Sequence, residues 1–349
     1  ACKSDLFEPK DAAAHIPADV TAITAINARQ LMQKADFEAV KEMEFYQAAL
    51  AEAQKNSPAI AEVMVNPELS GIDLDKNIYI TYDLNPKNPE EIFVATVFSI
   101  KDRKAFESLL KNADPDVVIE DKDGFSAVTK YPRQIVAWND EIGVFGGANS
   151  RDIALLDKAR DIFETKSETS IAQNKNLRET LSGKHDLSSW LSTDPIAQNP
   201  QAGMAMAFLD LDKDALKNNQ IHSAVDFKDG QIAGHSDFFI SEGLGENFIG
   251  KFFKSEIQTD FTKYIPTQNL LSATTLALDI RGMDEFLSQR PQTRDMLVFM
   301  AKDAGLEYKD LVETFDGDCL VALYGAVENT SNAPAPTPVF STKIKNAET

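Results

Sequence analysis

The chain has 349 residues, with 35 Lys and Arg against 55 Asp and Glu, so its formal charge at pH 7 is −20. A surface this acidic repels phosphate backbones, which excludes nucleic acid as a natural partner. The 43% hydrophobic content supports a packed core, and the longest apolar runs, such as residues 92–98, are strand-sized, well short of the roughly 20 residues of a membrane-spanning helix.

The chain opens on Ala1-Cys2, followed by the hydrophilic Lys3-Ser4-Asp5. A small residue before a cysteine is the arrangement of a bacterial lipoprotein cleavage region, in which Cys2 receives the lipid. The alternative is an incidental exposed thiol. On the lipoprotein reading, residues 1–18, with Pro9, Pro17 and an Ala-rich stretch, form an N-terminal tether. Residues 20–27 then alternate as a β-branched strand and lead into helical spacing from Leu31 to Ala53. A turn at Gly71-Ile72-Asp73 precedes a strand over 77–82, a Pro- and Asn-rich loop over 85–89, a strand over 92–100 and a helix over 103–110. A hairpin over 117–130 turns at Asp121-Lys122-Asp123-Gly124, and a further strand pair surrounds Trp138-Asn139-Asp140. These elements make residues 19–150 a first α+β module.

Helical spacing at Ile153, Leu156, Ala159 and Phe163 opens a helical connection over 151–200, which also carries Trp190. A second hairpin, 221–227 with 232–240, turns at Asp229-Gly230 and, with a following helix, completes the first unit over 201–265. Residues 266–349 then repeat the opening order. A strand rich in Ala and Thr over 271–279 feeds a helical stretch over 283–304. Asp316-Gly317-Asp318 leads to a strand over 319–324, a Pro- and Asn-rich loop follows, and a last strand covers 339–344. The expected fold class is α+β, with mostly antiparallel sheets, packed helices and an internally duplicated unit whose second copy is incomplete. Cys319, the other of the two cysteines, is expected as a buried small hydrophobe.

The Ala-Cys start, Ile16-Pro17-Ala18-Asp19-Val20, the turn from Asn66 through Pro67, Gly71 and Asp73, and the Trp138 strand resemble an uncharacterised family of Bacteroidota lipoproteins, a domain of unknown function (DUF4836). The resemblance implies export, an outer-membrane lipid anchor at Cys2 and a longer mature chain. It supplies no catalytic residues.

Motifs with chemistry are weak. Gly245 to Lys251 has the glycine and lysine spacing of a phosphate loop, but Phe252 stands where a magnesium-binding hydroxyl belongs, and Phe248, Ile249, Phe252, Phe253 and Ile257 have the spacing of an amphipathic helix. Asp210-x-Asp212-x-Asp214 and Asp73-x-Asp75-x-Asn77 begin like calcium loops, yet neither has the Gly or the distal Glu, so turns and caps are expected. Pairing the second hairpin about its turn sets His222 opposite Asp237, with His235 on the same face. These are the weak candidates for a metal, against a plain polar face. Catalytic signatures such as Gly-x-Ser-x-Gly or His-Glu-x-x-His do not occur, and no cofactor is expected. Trp138 and Trp190 are expected in the core, with stacking on a sugar as the alternative.

The sequence therefore favours a non-enzymatic, lipid-anchored cell-envelope protein on the outer membrane, a binding or accessory module for an envelope protein assembly. The alternative is an envelope hydrolase or glycan-binding protein using carboxylates that the sequence does not single out.

Overall fold

A computed structural model describes residues 11–85, 88–129, 131–174, 177, 180–181, 185–208, 212–229, 231–245, 249–254, 256, 260–325 and 337–345. Cys2 lies outside the described residues, as does Asp210 of the second acidic run. The fold is α+β with antiparallel sheets, and the chain forms two compact units. One holds the described residues up to Asn199 together with Asn218–Phe239; the other holds Pro200–Lys217 and the described residues from Ile240 onward.

In the first unit, β1 (Ala22–Ile26) is followed by four helices, α1 (Ala28–Lys34), α2 (Phe37–Lys41), α3 (Glu44–Asn56) and α4 (Pro58–Val65). The sequence predicts one helical stretch here. It is divided because Asp36 takes a left-handed φ of 48° and Met43 is extended. Asn27 starts α1 by accepting from the Gln30 amide at 3.1 Å, and Pro58 supplies the preset φ of a first helical turn. Next come β2 (Ile78–Asn85), β3 (Asn88–Ser99), α5 (Arg103–Ala113), β4 (Glu120–Lys122), β5 (Phe125–Val128), β6 (Gln134–Trp138), β7 (Ile142–Ala148) and α6 (Leu155–Glu164). The stretch expected as a helical connection also yields a strand, β8 (Leu187–Ser192), before the hairpin of β9 (Gln220–Lys228) and β10 (Gln231–Phe239).

All ten strands share one antiparallel sheet in the order β10-β9-β8-β1-β2-β3-β7-β6-β5-β4. Side chains alternate across it, so β3 sends Ala95 and Val97 into one core with Ile23, Tyr79, Val144 and Trp190, and sends Phe98 into another with Phe106 and Trp138. Ala12, Ala13 and Ile16, within the stretch expected as tether, are fully buried in the first of these cores. The Tyr79 hydroxyl donates to Asp11 at 2.9 Å, and burial, reinforced by that carboxylate, pushes its pKa well up.

The second unit contains β11 (Leu270–Ala277), β12 (Phe315–Tyr324) and β13 (Thr337–Ile344) in a three-stranded antiparallel sheet, with helices Ile280–Ser288, Pro291–Asp303 and Tyr308–Thr314 between the first two strands. Pro291 divides the helical stretch predicted over 283–304. Phe248 and Ile257 of the expected amphipathic helix lie outside the described residues; of the rest, a short helix over Gly250–Phe252 ends where Phe253 turns extended to bridge Leu278 and the Lys254 amide donates to Ala277. Phe252 instead meets the Phe286 ring edge-on at 5.1 Å. Cys319 is a free thiol and only half-buried, paired in register with Leu276 and Thr342 of the neighbouring strands, so the fully buried small hydrophobe expected there is not found. Asp318, on the opposite side, is fully buried and paired with Lys254 at 3.2 Å.

Candidate functional site

A cavity of about 790 Å3 lies in the first unit at one end of the central strands. Helix α6 forms one wall. Its Ala159 and Ile162 are buried, which leaves Asp157, Lys158 and Asp161, one turn apart, to line the cavity. The approach to β1 contributes Asp19, β2 contributes Asp83, β3 contributes Glu91 and Phe93, and the loop before α6 contributes Asp152. From the end of β8 come Trp190 and Ser192, with Asp194 at the start of the short helix that follows and Gln220 of β9 also on the wall. A second cavity of about 360 Å3 shares Asp19, Asp83, Phe93, Lys158 and Asp161 with the first.

Seven carboxylates thus line the larger cavity against one described cation, Lys158. The Lys158 ammonium pairs with Asp83 and lies 6.0 Å from the centre of the Phe93 ring. Asp157 pairs with Arg160 at 2.8 Å, Glu91 accepts from the side-chain amides of Asn85 and Asn88, and Asp194 accepts from the Asn218 backbone amide at 2.6 Å. Asp161 differs. Burial raises its pKa, Lys158 pulls it back, and the like charges of Asp157, Glu164 and Asp19 raise it again, so the net shift is upward. Trp190 is only 4% exposed and belongs to the core, as expected, but it also closes the cavity wall, with its indole N–H donating to Gln220 at 3.2 Å. Trp138 is fully buried and donates to Glu107 at 3.0 Å.

The sequence left these carboxylates unassigned. They come from segments up to 175 residues apart, Asp19 to Asp194, and only Asp157 and Asp161, four apart on a predicted helix with Lys158 between them, carried a local signal.

The histidine candidates do meet. His222 pairs with Asp237 across the β9–β10 hairpin, and His222, His235 and Asp237 line a separate cavity of about 300 Å3 with His185 and Thr180. His222 is 7% exposed, so the polar face expected in solvent is largely covered at that position. Both its ring nitrogens are engaged, Nδ1 with Thr180 at 2.8 Å and Nε2 with Gln220 at 3.3 Å, and burial lowers its pKa against the pull of Asp237. His185 is committed to Asp226 at 2.8 Å. Among the described residues, no group of three or more His, Cys, Asp or Glu has an arrangement that could hold a metal ion. The acidic runs behave as turns and caps: Asp212 accepts from the Asp214 amide at 2.9 Å, Asp73 from the Asp75 amide at 3.2 Å, and Asp75 also pairs with Arg29.

Residues 13–349 match the family described as Domain of unknown function (DUF4836). The chain belongs to this family. The family description assigns it no activity, so the DUF4836 cavity has to be interpreted from its own residues. No curated protein matches the chain. Among solved structures, crystal forms I, III and IV of TP0453 are similar, with TM-scores of 0.39, 0.38 and 0.36 at 7%, 7% and 9% identity. The matches cover 73%, 68% and 65% of this chain and 84%, 84% and 79% of those chains. At these scores the likeness carries no argument about function. Among the described residues, no helix is long and apolar enough to cross a membrane.

Proposed function

We propose that this DUF4836 chain is a non-enzymatic binding module of the cell envelope, a Bacteroidota lipoprotein held at the outer membrane by lipid on Cys2, and that the acidic cavity of its first unit is the recognition site for a component of an envelope protein assembly. The cavity carries the reading: about 790 Å3 with seven carboxylates, one lysine and an aromatic wall is a recessed, strongly charged surface suited to selective binding. Most of these carboxylates are held by structural partners, which suits a fixed binding surface. The Ala1-Cys2-Lys3-Ser4-Asp5 context supports the anchor. An internal duplication is part of the same proposal. It is supported by the shared order of strand, helices, strand and strand, and by Asn27 and Asp279 each capping the helix after its first strand.

The test has two arms. Protein taken from native membranes is expected to carry lipid mass on Cys2; an unmodified Cys2 refutes the anchor. A photo-crosslinking residue at Gln198, on the cavity wall, is expected to capture a defined envelope component that the same probe at exposed Val118 does not capture. Equal capture from both positions refutes the cavity.

One observation favours the second reading, an envelope hydrolase. The raised pKa of Asp161 in a carboxylate-lined cavity is the environment of a proton donor. On that reading Asp161→Asn abolishes turnover of an envelope glycan while the protein stays folded.

A further inference from the structure

We infer that the cavity of the first unit takes an organic cation, an alkylammonium or guanidinium group attached to an apolar stem, presented by a basic side chain of a partner or by a free polyamine. This rests on the cavity being the recognition site and adds the chemistry of what enters it.

The cavity already holds one such group. The Lys158 side chain lies along the wall with its ammonium on Asp83 and close to the Phe93 ring, the contact set that an incoming alkylammonium requires. That single tethered cation leaves the site short of positive charge. Asp157 has Arg160, Glu91 has two amides and Asp194 has a backbone N–H. Among the described residues, no hydrogen bond or ion pair reaches the Asp19 or Asp161 carboxylate, and both line the larger and the smaller cavity alike. Their mutual repulsion is relieved by a cation between them. An anion would meet seven carboxylates, and a neutral sugar would find Trp190 almost wholly covered, with little ring face for stacking. The space is several times that of one ammonium, so the stem of the ligand, or a second charged group, enters with it.

Calorimetric titration of the full chain with spermidine and with a hexalysine peptide tests the inference, alongside an acetylated peptide of equal length and a neutral oligosaccharide. At least one cation is expected to bind, more weakly as salt rises, while the acetylated peptide does not bind. Asp19→Asn with Asp161→Asn is expected to weaken binding about tenfold or more, and Lys158→Met, which frees Asp83, to tighten it. A neutral stem in place of Lys158 would not tighten binding if the residue served only as packing. Preference for spermidine identifies a free polyamine, and preference for the peptide a basic protein segment. The inference is overturned if neither cation binds to folded protein, if the double variant binds as well as the parent, or if the neutral sugar alone binds. The crosslinking test stands apart: a partner captured at Gln198 with no cation binding would sink the ligand class and leave the recognition site intact.

Discussion

The strand triplets β1-β2-β3 and β11-β12-β13 share a plan. Each starts with a strand, continues through a helix capped by an Asn or Asp side chain, and adds two further antiparallel strands. Their surroundings differ. The first triplet is flanked by β8 and β7, and its Ile23, Ala25, Tyr79, Ala95 and Val97 are no more than 3% exposed. Among the described residues, the second forms a whole sheet by itself. Leu320 and Ala322 are buried, but Leu271, Leu276 and Phe340 are 61%, 40% and 75% exposed. Alternation makes a strand; whether both faces are dry depends on what pairs and packs alongside it.

The largest effect that can break this comparison lies at Gly71 and Gly317, two of the four described glycines with left-handed φ. Gly71 has φ +75° and a Cβ there would sit 2.3 Å from the Asp102 carbonyl oxygen; Gly317 has φ +97° and a Cβ 1.9 Å from the Leu278 carbonyl oxygen. Both obstacles are backbone, so Gly71→Ala and Gly317→Ala should each cost about 3 kcal/mol or more, read from urea unfolding. If the two triplets had unrelated turns, one of these substitutions would be tolerated.

Asp186 provides the next test. Its fully buried carboxylate accepts from Lys34, Gln30 and the Phe227 amide, each at 2.7 Å, and so fastens α1 and β9 to the end of β8. Burial by itself raises its pKa, but these three donors outweigh it and the net shift is downward. Asp186→Ala should cost about 2 to 3 kcal/mol, the half-exposed Lys34 keeping the loss moderate. Because the folded value lies below the unfolded one, this stabilisation is present above about pH 4 and is lost as pH falls through the folded value. Melting curves of parent and Asp186→Asn should therefore converge in acid.

Packing separates the triplets more gently. Val97→Ala should cost about 2 kcal/mol and Phe340→Ala no more than about 0.5 kcal/mol, since Phe340 has little contact to lose. Equal losses in chemical denaturation would show that Phe340 is covered in solution. The smallest change is expected at Asp161. Its raised pKa means that the folded chain holds the proton more tightly, so stability falls as pH rises from the unfolded carboxyl value through the folded one. Asp161→Asn should thus raise Tm slightly at pH 7, with the gain disappearing below about pH 4.

Much of the fold was legible locally. The β9–β10 hairpin keeps the expected partners, His222 with Asp237, because a period of two and a short turn leave no other register that preserves the faces. The helix breaks at Asp36 and Pro291 were less legible, the first because a left-handed Asp has no sequence signature of its own. The burial of Ala12, Ala13 and Ile16 was hidden for a different reason: small residues near prolines have the composition of a tether, and only contact with Tyr79, Ile171 and their neighbours makes them core. The acidic cavity was the least legible part, since Asp19, Asp83 and Asp194 belong to separate elements and resemble any other surface acid in a chain of this charge.

By itself the sequence determined the α+β class, the antiparallel pairings set by short turns, the overall charge and the absence of a long apolar span. These follow from local periodicity, turn chemistry and composition, which need no knowledge of distant partners. Tertiary structure decided that β8 inserts between β1 and β9, which face of each strand is dry, and that seven carboxylates and Lys158 line one cavity. The excess of acids was countable from the start. Where their repulsion concentrates depends on which residues the fold brings within a few ångströms of one another, because electrostatic interaction is set by distance and surroundings and not by position along the chain.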